Sequence, residues 1–274
     1  MKNDHTSQVP SAFEGSEREL TALTHELNDM HHDVGMPAMW QGVERMIDGL
    51  HSPAKSPSSR RTFLMGAGAT LAGGAALIGA GLPSFAGAAT RPSTSSRASA
   101  LAFPPANLKG DLVVAAVAAS LENLAVFAYT AGLGAATAGK LGTVPPAVAT
   151  FATAVRAQHA QHAAAWNAVL RANGKASVTI TNPTLTPVVQ NDFAKVTDIT
   201  GLAKLALTLE TIAAETYQVE TSKLMSRAAI ELSASIEPVE MQHIAILYYV
   251  LGQYPGVQTS SGTALAFSQT SQAA

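Results

Sequence analysis

The chain has 274 residues with 17 basic and 19 acidic side chains, a formal net charge of −2 and no cysteine. Only 13% of residues are charged and 47% are hydrophobic, which excludes a disordered chain. The near-neutral balance gives no footprint for nucleic acid, and the missing cysteines exclude disulfides, thiolate nucleophiles and cysteine-held zinc or iron–sulfur groups.

In chain order, residues 1–58 read as a leader, partly helical or disordered, with helical patches over 17–50 interrupted by Gly35 and Pro37. Its His31-His32-Asp33 run lacks spaced partners, so this segment is expected to be solvated. Residues 59–88 read as a twin-arginine signal. Arg60-Arg61 precedes a charge-free, Gly/Ala-rich stretch from Phe63 to about Leu82, and Ala86-Gly87-Ala88 offers the small residues of a cleavage site. The expected partner is the twin-arginine export machinery, which carries folded proteins and so allows a cofactor to be loaded first. The expected location is the periplasm, the cell envelope or the exterior. The alternative is a retained membrane anchor, although the many glycines make the stretch weakly apolar for a span.

Residues 89–107 form a Ser/Thr/Pro-rich linker, and 255–274 a polar, flexible tail. Between them, 108–254 divides into four helical segments at about 111–138, 147–172, 199–223 and 227–252. Asn173-Gly174 ends the second, Asp198 or Thr200 caps the third, and a long connection over 175–198 has little helical period. Two helices, a long crossover and two more helices make an all-α bundle.

Three histidines follow the signal, and all fall into one pattern. His159 and His162 stand three apart on one face of the second helix, and Glu240 and His243 form an E-x-x-H pair in the fourth. The first and third helices each carry one carboxylate in matching surroundings. Leu121-Glu122…Ala125…Tyr129 and Leu209-Glu210…Ala213…Tyr217 share offsets, a faint repeat of two hairpins. Both glutamates lie on alanine-rich faces, where an unpaired charge is expensive to bury, and Arg156 is the only arginine near these motifs. A metal is the economical partner. Tyr129 and Tyr217 read as core or ligand-supporting residues, Glu215 and Glu220 as solvated, and Glu237 as a spare ligand or an entry-side carboxylate. Pro238 is expected to kink the fourth helix or force a bulge.

Over 108–254 this run, E…H-x-x-H…E…E-x-x-H, resembles the ferritin-like domain family of exported bacterial proteins. That family is related to the domain of plant desiccation-related proteins and, more distantly, to rubrerythrins and bacterioferritins. The resemblance implies a ferritin-like four-helix bundle with a long crossover between helices 2 and 3, and a dinuclear iron or manganese site at its centre. Carried over, Glu122 and Glu210 are terminal carboxylates, His162 and His243 terminal imidazoles, and Glu240 the bridge. His159 stands where the family has its second-helix glutamate, which favours an uneven metal pair, a mononuclear site or zinc. The implied activity is oxygen- or peroxide-linked redox chemistry, such as oxidising ferrous iron or removing peroxide. The alternative is a non-catalytic bundle, with a structural metal or none, in envelope stress tolerance or partner binding. Sparse surface charge on alanine-rich helices also leads us to expect self-association.

Overall fold

A computed structural model of the chain describes residues 16–51 and 103–253, with the backbone alone at 50 and 51. The twin-arginine stretch and the tail from 255 lie outside the described residues, among which every regular element is helical. These elements are α1 (Glu17–Met30), a π-helical turn (His31–Gly35), α2 (Met36–His51), α3 (Asp111–Thr137), α4 (Pro146–Ala172), α5 (Thr186–Phe193), α6 (Ile199–Lys223) and α7 (Arg227–Val250).

Local chemistry sets the ends. Asp198 and Ser226 cap α6 and α7, their side chains accepting from the amides of Gly201 and Ala229. Gly174, at φ 66°, closes α4 in the left-handed conformation that glycine adopts without strain. Both carboxylate oxygens of Asp111 accept backbone amides, from Met225 and Ser226, which ties the start of α3 to the α6–α7 joint. The crossover contains a short helix, α5, which its Pro187 and mixed pattern conceal in the sequence. It is pinned alongside α3 and α4: Asn123 donates to the carbonyls of Val178 and Ile180, and Asn167 pairs with both backbone groups of Val178.

The bundle is two hairpins, α3/α4 and α6/α7, whose partners pack extensively. One apolar cluster gathers Trp166, Leu170, Leu232 and Ile236, and a second gathers Phe151, Val155, Leu247 and Val250. Between them lies a polar layer, described below. By length and composition α3 is apolar enough to cross a membrane, yet 56% of its apolar window is buried inside the bundle.

The largest departure from expectation lies at the N-terminus. Residues 17–51 are not a solvated leader in the structure. α1 packs mainly on α4 and α2 mainly on α7, so the pair straddles the seam between those helices. Leu20 and Leu27 join the second apolar cluster, and Met39, Val43 and Met46 join the first. Gly42 lets α2 approach α7 closely, because a Cβ there would sit 3.0 Å from the Cα of Leu232. The inward stripe runs 24, 27, 31, 35, 39, 43, 46, with four consecutive steps of four residues. A regular helix of about 3.6 residues per turn drifts off such a stripe, and the wider π turn absorbs the excess. Pro238 behaves differently from expectation too. It is exposed, and α7 runs through it as unbroken α-helix.

Overpacking at this approach gives a direct check. Gly42→Val should destabilise the α2 contact by about 1–3 kcal/mol. Hydrogen exchange should then quicken across 36–51 while 111–250 keeps its protection.

Candidate metal centre

Six side chains meet in the polar layer: Glu122 from α3, His159 and His162 from α4, Glu210 from α6, and Glu240 and His243 from α7. All are 0–2% exposed. Their donor atoms form two overlapping groups, each with atoms within 4.8 Å of one another: Glu122, His159, His162 and Glu240, and then His159, Glu210, Glu240 and His243. His159 and Glu240 belong to both.

Glu240 sits between the groups. Its Oε1 lies 3.0 Å from His162 Nδ1 and its Oε2 3.3 Å from His243 Nδ1. Neither oxygen has an aligned hydrogen bond, and neither does either ring nitrogen of His162. A buried polar atom left in that condition costs about 1–3 kcal/mol. A cation shared by these atoms satisfies them together, so the donor set fits a metal. With three carboxylates and three imidazoles, it suits iron, manganese or zinc.

His159 reaches Glu122 Oε2 through Nδ1, at 2.8 Å, and Glu210 Oε1 through Nε2, at 3.1 Å. Both of its nitrogens face acceptors, so without a metal the ring is an imidazolium held between two carboxylates. Burial, the largest influence, works to lower its pKa, but Glu210, Glu240 and Glu122 together raise it well above the ordinary histidine value. Likewise, burial is outweighed by Glu122 and Glu240 at His162, held at about 9, and by Glu210 and Glu240 at His243, which is also raised. Glu122 shows the converse: burial raises it, but His162 and His159 hold it down at about 2.

The repeat noted in the sequence becomes an exchange between halves. Tyr129 of α3 donates to Glu210 of α6 at 2.6 Å, and Tyr217 of α6 donates to Glu122 of α3. Position 122 therefore faces 217 while 129 faces 210, so α3 and α6 run antiparallel. Trp166 donates in turn to the Tyr217 hydroxyl at 2.9 Å. Both tyrosines thus hold the clustered carboxylates in place.

Sequence reasoning missed the shell on the other side. His243 Nε2 donates to Gln158 Oε1 at 2.7 Å, which leaves Nδ1 for the centre, and Gln158 Nε2 donates to Asn28 Oδ1 of α1 at 2.9 Å. His31, buried at the start of the π turn, donates from Nε2 to Gln161 Oε1 at 2.7 Å. Its ring meets that of His162 edge-on, with centroids 5.4 Å apart. Burial, and then His162, lower the His31 pKa to about 4 and keep it neutral. The signal was present in the repeated Gln-His of AQHAQH, and in the stripe that carries Leu20, Thr24, Leu27 and His31 at steps of four, three and four. Three acidic residues also differ from expectation or gain definition. Glu215 is buried, not solvated; Glu220 is paired with Lys223; Glu237 stands outside both groups and accepts from Gln218 at 3.2 Å.

The seam opposite α1 and α2, between α3 and α6, is closed by direct contact of the two helices, less extensive than the contact within either hairpin. A crevice of about 20 Å³ there reaches Glu122 and His159, with Thr216 and Glu220 in its lining. A larger, almost wholly apolar cavity of about 60 Å³ adjoins Tyr129 at one end of the same seam.

The family comparison matches a ferritin-like domain over residues 110–253, which contains all six side chains. The chain belongs to the ferritin-like domain family. No curated protein and no solved structure matches it.

The metal-free centre should be pH-sensitive in a defined direction. His162 is raised from 6.5 to about 9, so its contribution is complete below pH 6.5 and is lost as pH climbs through about 9. A metal, by contrast, needs the imidazoles deprotonated. Differential scanning fluorimetry should show the metal-free midpoint falling from pH 6.5 to 9, while the upward shift on adding a divalent cation grows over the same range. Tyr217→Phe, which leaves Glu122 with one acceptor oxygen unpaired, should lower stability by about 1.5–3 kcal/mol in chemical denaturation.

Proposed function

We propose that this ferritin-like protein holds two metal ions, iron foremost and manganese next, for oxygen- or peroxide-linked redox chemistry. When bound, they would pass electrons from ferrous iron to oxygen or peroxide, so that the iron is oxidised and the oxygen species reduced. The observation that carries the reading is Glu240, whose two oxygens, neither in an aligned hydrogen bond, face the two donor groups. On this reading Glu240 is shared, Glu122 and His162 serve one position, and Glu210 and His243 serve the other.

The remaining residues hold the centre ready. Tyr217 and Tyr129 each fix one oxygen of a terminal carboxylate, and Gln158 fixes the His243 tautomer. The two apolar clusters exclude water from above and below, which strengthens every electrostatic contact between them. His159 must release a proton before it offers a lone pair, so it couples metal occupancy to proton loss inside the layer. The α3/α6 crevice, ending on Glu122 and His159, is the approach for small reactants and for ferrous iron as substrate. We further propose that the chain is exported by the twin-arginine route with this centre already assembled.

A second reading rests on His159. An imidazole in place of a carboxylate favours a single zinc in a structural role, in a bundle acting in stress tolerance or partner binding.

Elemental mass spectrometry of the full chain, purified without chelators, separates these readings. The expected result is about two equivalents of iron or manganese, lost in Glu240→Ala/His243→Ala, with ferrous oxidation or peroxide consumption that disappears in the same variant. About one equivalent of zinc and no turnover in the parent would favour the structural reading instead.

A further inference from the structure

The family match begins at residue 110, so α1, the π turn and α2 lie outside the matched domain. They cover the α4/α7 seam, which carries four of the six clustered side chains, and leave the α3/α6 seam to its crevice. Two contacts go beyond packing. Asn28 accepts from Gln158, which itself accepts from His243. The second contact involves His162. If it binds through Nδ1, the nitrogen facing Glu240, its Nε2–H is left buried and in need of an acceptor. The adjacent ring is that of His31, whose Nε2–H is committed to Gln161 and whose Nδ1 is buried without a partner. Gly35 packs against that same Nδ1, where a Cβ would sit 3.3 Å away.

We propose that residues 16–51 are the closing wall of the metal centre, in which Asn28 positions His243 through Gln158 and His31 positions His162, so that the wall holds the metal in place. This rests on the metal-binding reading above. Partners of ligating imidazoles fix ring orientation and basicity, and losing one typically weakens binding by about 10–100-fold. The wall therefore makes the centre slow to release its ions. If the chain is cut near Ala88 on export, the wall departs with the signal and retention falls.

The test loads the full chain with cobalt(II), records its visible ligand-field bands, and follows cobalt loss to excess chelator. Asn28→Ala and His31→Phe should keep parental helicity, shift the cobalt bands, and speed release by about 10–100-fold. Asn28→Asp and His31→Gln, which restore an acceptor, should return release to within a few-fold of the parent. His31→Phe keeps an aromatic ring at 31 without its nitrogens, so it carries the test if the smaller side chain at 28 disturbs folding. Parental bands and release rates in the folded Ala and Phe variants would overturn the proposal while leaving the metal reading intact. A parent chain that takes up no cobalt would overturn the metal reading, and the wall's role with it.

Discussion

The structure turns on one constraint: three carboxylates and three imidazoles are almost completely buried together. Burying any one of these charges alone is prohibitive, and burying them together works only if each faces an opposite partner or a cation. Without a metal the histidines supply the positive charge, and His159, bridging Glu122 and Glu210, acts as an internal counter-ion. A bound metal would replace those protons with a cation in the same cage.

Everything around the layer serves to keep it closed and aligned. The apolar clusters at either end are unequal in composition, one built around Trp166 and the other around Phe151, but they do the same work. The tyrosine exchange fastens the α3/α6 seam, where two hydroxyls add hydrogen bonds to the direct contact between those helices. The α4/α7 seam relies instead on the N-terminal helices laid across it. The two sides of the centre are therefore built on different principles. One is tied by hydrogen bonds and keeps a crevice; the other is covered by a separate piece of chain.

Much of the bundle was legible because its signals are local. Asp198, Asn173 and Gly174 act within a turn of their own helix, and the three-residue spacings in α4 and α7 set ligands on one face wherever those helices go. What escaped depends on tertiary partners. The inward stripe of α1 includes Thr24 and His31, polar residues that look solvated until a bundle is placed beneath them. The π turn shifts that stripe out of regular helical phase, which hides its continuity. Glu215 lies off the Glu210 face, yet it is buried in a helix that packs closely on α7. Pro238 was misread for the converse reason: on an exposed face, the helix accommodates the ring without a bulge.

The apolar length of α3 has a consequence for how such a chain is made. Its sequence would satisfy a lipid bilayer by length and composition, and what marks it as a core helix is its burial together with Glu122 at mid-span. While the chain is unfolded, that glutamate has neither His159 nor Tyr217 for company, and the flanking alanines, valines and leucines have no helix to lie against. A nascent chain that met membrane early would be drawn toward partitioning there, with a carboxylate stranded in hydrocarbon. Folding first removes the choice, because α4 and α6 claim the helix before lipid can.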